Sequence, residues 1–479
     1  MLFRMVQNHW KDFLSEIESG GGELPAFVID EVEAFLRCGI PAHGFLRVRC
    51  GECGHSRIVA FSCKRRGFCP SCLGRRMSDT AAFCVDHVFP NVPVRQYVLT
   101  VPYRLRYQMA YSPGLASRVL GIFIHSITSD LRRRARQRKI KGKLQTGSLT
   151  VVQRFGSSLR LNVHFHTLAL DGVYATGSDG TLLFHPLPSP SDTDVARLAG
   201  SVSRKINRML ERHDPLENDG QLSLLDGLAN ASVQGLVATG TRKGSRVLRL
   251  GGKGNSFQAM ILGKRCAEVD GFNLHANVRL HGNDRDGIEQ LCRYLARPPI
   301  SEDRLQELPD GRIALRLKNA WRDNTTHVVF TPIELIEKLI PLIPRPRSHL
   351  VRYHGILGPA AKDRSKIVTG ARAVKVSGEV VREPDEPREM DPGTIPRFNR
   401  MPWAALLKRV FLVDVLDCPK CDGRMRILAV VTKTESIQSI LDSLGIASQA
   451  PRFHPARSPP QAEFLEDSYN YADPPALEW

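Results

Sequence analysis

Two histidines separated by a single residue are the first feature of this chain that could do chemistry. They lie in Leu161–Leu170, an apolar run with the composition of a strand. Side chains of a strand alternate between its faces. His164 and His166 therefore share one face, while Val163, Phe165 and Thr167 take the other. Two imidazoles so placed can grip one cation, and a divalent ion beside a phosphodiester polarises it as a Lewis acid. The plainer reading is a half-buried strand with two polar residues on its wetter face.

Cysteines supply the second pattern. Cys50-Gly-Glu-Cys53 and Cys69-Pro-Ser-Cys72 are separated by fifteen residues, the spacing of a closed four-cysteine zinc site. Cys63 lies between the pairs, either as a spare or as a substitute for one ligand. Cys418 and Cys421 form half of a further site, with no second pair after them. The loop of the N-terminal module also carries Lys64, Arg65 and Arg66, so it either docks on a phosphate backbone or packs on the next domain. The third pattern is helical. Ile288, Leu291, Cys292 and Leu295 fall on one face of a helix over 284–297 that is stopped by Pro298 and Pro299. Tyr294 sits at the edge of that face, one turn after Gln290 and flanked by Arg293 and Arg297. Periodicity alone reads it as packing with a satisfied hydroxyl.

Strands are expected at 95–101, 148–155, 161–170, 182–184, 256–263 and 272–280, and a hairpin over 312–331. Gly156-Ser-Ser158 makes the turn that returns the histidine strand beside its predecessor. Helices are expected over much of 1–36, at 113–136, 191–212 and 332–342, near 403–411 and at 436–444. The helix from 113 ends in a basic run that includes Arg132, Arg133 and Arg134, a candidate contact for phosphates. Residues 368–398 read as a linker and the tail after 450 as disordered, while 215–255 is turn-rich and unplaced.

At 479 residues the chain needs more than one core. Its 67 Lys+Arg against 49 Asp+Glu give a charge of +18, which suits a polyanion such as nucleic acid. No stretch approaches the ~18 apolar residues of a membrane span. The N-terminus lacks the order of a signal peptide, so a cytoplasmic protein is expected, in which cysteine pairs bind metal rather than each other.

With these segments in hand, the chain resembles the rolling-circle transposases of insertion-sequence family ninety-one. The resemblance runs through the cysteine module, the His-hydrophobic-His strand, Leu291–Pro299 and Arg352–Leu357. It implies an α+β fold of the HUH endonuclease type: an antiparallel sheet with flanking helices, preceded by a zinc-binding module. It implies that His164 and His166 hold Mg²⁺ or Mn²⁺ on a scissile phosphate and that Tyr294 attacks it, leaving a 5′-phosphotyrosine link. Better-known members carry a second tyrosine four residues earlier, where this chain has Gln290, so it resembles the single-tyrosine relatives. Gln290 and His275 are both candidates for a third metal ligand. Partners implied are single-stranded DNA at element ends and target DNA; paired cleavages would need a second subunit, a released tyrosine or a 3′-hydroxyl as second attacker. A replication initiator with the same chemistry and a non-catalytic zinc-dependent DNA-binding protein are the alternatives. The expected domains are 1–92 (helices and zinc module), 93–345 (endonuclease core), 346–400 (basic segment and linker) and 401–479 (C-terminal Cys-x-x-Cys segment and tail).

Overall fold

A computed structural model of the chain describes residues 1–177, 180–212, 224–250, 263–321, 323–368, 401–411, 414–451 and 455. The linker expected over 368–398, the strand at 256–263 and the tail after 450 lie almost wholly outside these residues.

The central sheet is antiparallel throughout. Its strands run in the order Cys266–Val269, Phe272–His275, Val94–Thr100, Leu161–Leu170, Gly147–Phe155 and Val351–Gly355, and Arg279–Leu280 pairs with the far part of Val94–Thr100. The expected hairpin forms, with His166 facing Val151 and His164 facing Gln153. On the other side of the histidine strand, His166 faces Val98 and His164 faces Thr100. Residues directly opposed across a ladder project from the same face. One face therefore carries Gln96, Val98, Val151, Gln153, His164 and His166, and the other carries Tyr97, Leu99, Val163 and Phe165.

Two layers of helix cover these faces. On the apolar face, Phe165 packs on Phe123 of the helix Pro113–Gln137 within the main hydrophobic core. On the histidine face, Leu149, Val151 and Leu168 pack against two helices, Pro70–His87 and Arg285–Leu295. The second of these carries Tyr294. Its first turn is fixed by the side chain of Asp284, which accepts from the Gly287 N–H, and by Arg285, which donates to the backbone carbonyls of Pro90, Val85 and Phe89. At one end of the sheet, the fully buried Arg95 pairs with both oxygens of Asp171 at 2.9 Å, and Arg279 joins them at 2.8 Å.

Val351–Gly355 differs from expectation. The sequence places the segment from 346 in a basic extension beyond the core, but this strand is an edge of the central sheet, paired with Gly147–Phe155. Val351 and Tyr353 alternate with polar residues, and only pairing across more than 190 residues of sequence decides that so short a run is a strand. The C-terminal segment also returns to the start of the chain. Met425–Val431 pairs antiparallel with Phe45–Cys50, which pairs in turn with Ser56–Ala60. No helix among the described residues is long and apolar enough to cross a membrane.

Candidate active site and cysteine clusters

The histidine rings lie 4.9 Å apart, centroid to centroid, and are almost completely buried, at 8% exposed for His164 and 5% for His166. Burial pushes His164 down to about 4 and His166 down to about 3, so both rings are neutral at neutral pH and keep a lone pair. His164 Nδ1 lies 2.8 Å from the Asn162 carbonyl, to which it donates, and this leaves Nε2 as the acceptor. The Gln96 amide lies 2.9 Å from His166 Nδ1 and fixes that ring.

Tyr294 stands on the same side of the sheet as the rings. Its own ring meets that of His166 edge-on, 6.1 Å between centroids at 87°. Being 37% exposed, it is open to a ligand from solvent. Arg297 lies 4.3 Å from its ring centroid and Lys318 4.2 Å. Burial alone would raise the phenol, but these two cations outweigh it and leave Tyr294 below its ordinary value. Among the described residues neither cation takes part in an ion pair. Gln153 holds the helix end in place. Its Nε2 donates to the Leu295 carbonyl at 2.6 Å, a group the helix itself cannot satisfy, and its buried Oε1 has no partner. Alternating strand positions with Gln153 opposite His164 could have singled it out; Lys318, in a loop beyond the strand Ile313–Arg316, left no signal in the sequence.

The other expected residues divide. Gln290 is exposed one turn before Tyr294. His275 is on the histidine face but two strands away, with Val98 between it and His166. Arg293 is drawn into an ion pair with Glu289. The basic run is spent on the fold: Arg132 donates to the Leu144 carbonyl, Arg133 pairs with Asp130 and Asp194, and the buried Arg134 donates to the Pro188 carbonyl. Arg297 alone of the five expected phosphate contacts touches the tyrosine. A cavity of about 290 Å³ beside it is lined by Arg66 and Arg76 of the cysteine module together with Gln153, Arg154 and Arg297.

The single site expected from Cys50, Cys53, Cys69 and Cys72 does not form. Cys69 and Cys72 meet Cys38 and Cys63, whereas Cys50 and Cys53 meet Cys418 and Cys421. The cause is the hairpin between the pairs. Cys50 and Cys53 sit at its turn, while Cys38 and Cys63 lie beyond the open end, where the Gly39 N–H donates to the Phe61 carbonyl at 2.9 Å. Five residues of strand, roughly 17 Å at ~3.3 Å each, keep the pairs apart. Cys38 was missed because it has no near neighbour in sequence. Sulfur separations of 3.3 Å for Cys63–Cys72, 3.7 Å for Cys38–Cys72 and 3.8 Å for Cys38–Cys69 fit a tetrahedron whose Zn–S bonds of about 2.3 Å give edges of about 3.8 Å.

Residues 5–101 match an IS91 family model described as a transposase zinc-binding domain, and residues 147–365 match one described as "Putative transposase". The transposase of insertion sequence element IS801 from Pseudomonas savastanoi pv. phaseolicola is 22% identical over 424 residues, 87% of this chain and 86% of its own length. The chain belongs to the IS91 family of transposases. A second transposase, y4qJ of Sinorhizobium fredii, is 24% identical over 315 residues, 64% of this chain and 69% of its own. No solved structure matches. Family membership makes the chain a DNA-cleaving enzyme with DNA as its partner. The transposase match holds the histidine strand, Tyr294 and the edge strand Val351–Gly355, and the zinc-binding match stops well short of Cys418.

Proposed function

We propose that this transposase is an HUH-type single-strand endonuclease that opens DNA through Tyr294 and moves it by a rolling-circle route. The observation that carries the reading is the meeting of His166 and Tyr294 on one face, although they are far apart in sequence. The core that does this is residues 93–345, extended by the edge strand at 351–355.

His164 and His166 suit a divalent ion such as Mg²⁺ or Mn²⁺: both are neutral, adjacent and oriented through Nδ1. With the Gln96 amide turned so that its oxygen accepts from Nδ1–H, His166 presents Nε2 as His164 does. The unpartnered Oε1 of Gln153, opposite His164, makes that residue a better third donor than Gln290 or His275. When bound, the ion supplies Lewis-acid polarisation of the scissile phosphate.

The chain's own residues do the rest. Arg297 and Lys318 favour the phenolate and offset the charge of the phosphodiester that would repel it. Tyr294 Oη attacks phosphorus, its proton passes to water, and the P–O3′ bond breaks. The 3′ oxygen takes up a proton to become a free hydroxyl, and the 5′ end remains esterified to the tyrosine. Attack by another 3′-hydroxyl reverses the step and joins strands without ATP, because the tyrosyl ester conserves the bond. A single tyrosine at this motif means that paired cleavages draw on a second subunit, on a released tyrosine or on a 3′-hydroxyl. The basic cavity between the cysteine module and the tyrosine helix offers a path for the strand.

The test is cleavage of single-stranded oligonucleotides carrying the element ends, with Mg²⁺ or Mn²⁺. Tyr294→Phe should keep DNA binding and lose the covalent adduct. His164→Ala combined with His166→Ala should lose metal-dependent nicking. Adduct formation by Tyr294→Phe would overturn the proposal.

A further inference from the structure

We infer that Cys50, Cys53, Cys418 and Cys421 form a second zinc site, which fastens the C-terminal arm to the N-terminal module and so holds that arm against the tyrosine helix. The inference does not rest on the catalytic reading. It starts from the sulfurs: Cys50–Cys421 and Cys53–Cys418 are each 3.6 Å apart, and all four lie within 4.8 Å of one another. These separations are far beyond a disulfide and close to the ~3.8 Å edge of a zinc tetrahedron.

The surroundings are built for thiolates. Backbone N–H groups of Lys420 and Gly423 donate to the sulfurs of Cys418 and Cys421 at 3.5 and 3.4 Å. Gly423 passes so close to the opposite pair that a Cβ there would lie 2.8 Å from Cys50 Sγ and 2.6 Å from Glu52 Cγ. The two knuckles are thus fitted to each other, although 365 residues separate Cys53 from Cys418.

The module also needs a fastener. Among the described residues, the buried side chains shared by its three-stranded sheet and the helix Thr434–Ser443 are Phe45, Val431, Ile437 and Leu441, with Ile58, Ala429 and Ile440 partly buried against them and Cys50, Cys418 and Met425 beside them. So few buried side chains give a small domain little stability by themselves, and a structural metal is the usual remedy. Nine positions before Cys418, Arg409 of the helix Trp403–Phe411 reaches the catalytic layer. It pairs with Asp86 at 2.6 Å and with Glu289 at 2.6 Å, and Glu289 lies on the tyrosine helix, where it also holds Arg293. Losing the metal would free one end of this connection.

Metal analysis of the full-length protein is expected to find two zinc ions per chain, falling to one in the Cys418→Ser, Cys421→Ser double variant. Amide exchange in that variant should rise over Met425–Val431 and over the helix Trp403–Phe411. One zinc in the wild type, or two retained in the variant, would overturn the site. Unchanged exchange at the helix would overturn its tethering. Wild-type protein loaded with ¹¹³Cd removes any dependence on how a variant folds: two all-thiolate signals are expected, and one would overturn the second site.

Discussion

Replacing Gln153 with leucine removes the contact that positions the tyrosine, together with the oxygen proposed as third metal donor. Gln153 is 2% exposed, so the substitution keeps volume while deleting the donor to Leu295. A buried carbonyl left without its partner costs about 1–3 kcal/mol. Leucine also removes the unpartnered Oε1, which recovers part of that, so the lower end, about 1 kcal/mol, is expected. Gln153→Glu should cost more, about 3 kcal/mol, because it sets a carboxylate oxygen against the Leu295 carbonyl. Both would appear as a lowered thermal midpoint. The larger effect belongs to the rate. Leu295 follows Tyr294 directly, and a displacement of ~1 Å at a nucleophile can cost about 100-fold. Single-turnover adduct formation on a radiolabelled oligonucleotide should therefore fall about 10- to 100-fold in Gln153→Leu, with DNA binding unchanged. If both the melt and the adduct rate match the wild type, the Gln153–Leu295 contact does not place the tyrosine.

Three further outcomes are expected. Lys318→Met removes one of the two cations that lower the Tyr294 phenol, so the rise of adduct formation with pH should move to higher pH; an unmoved profile would show that Lys318 does not act on the phenol. His164 and His166 are held near 4 and 3, below the ordinary 6.5, so the unfolded chain binds more protons between those values and stability must fall as pH drops below about 6.5. Each ring adds up to about 1.4 kcal/mol per pH unit, and denaturant melts of the double Gln variant should lose that slope. Asp171→Asn leaves the buried Arg95 without its charge partner and should destabilise the protein by about 3–5 kcal/mol in the same melts.

Local pattern was legible in the sequence wherever it was dense. The hairpin carrying the histidines, the alternation that puts both rings on one face and the amphipathic helix under Tyr294 all follow from short-range periodicity. What escaped was pairing between distant segments. Val351–Gly355 becomes a strand only because Gly147–Phe155 offers it an edge. Cys38 and Cys418 become partners of other cysteines only because a hairpin separates the nearer pairs and the chain's end folds back. The run Arg132–Arg134 read as a phosphate face because sequence does not show the carbonyls and carboxylates that occupy it. Lys318 reached the tyrosine from a loop whose course no periodicity encodes.

Mass spectrometry of the protein trapped on single-stranded element ends tests the central claim most directly. After digestion of protein and DNA, the peptide containing Tyr294 is expected to carry a 5′-linked nucleotide phosphate on the phenol, and to do so only when a divalent ion was present. A nucleotide on any other residue, or cleavage that leaves Tyr294 unmodified at every time point, would contradict it.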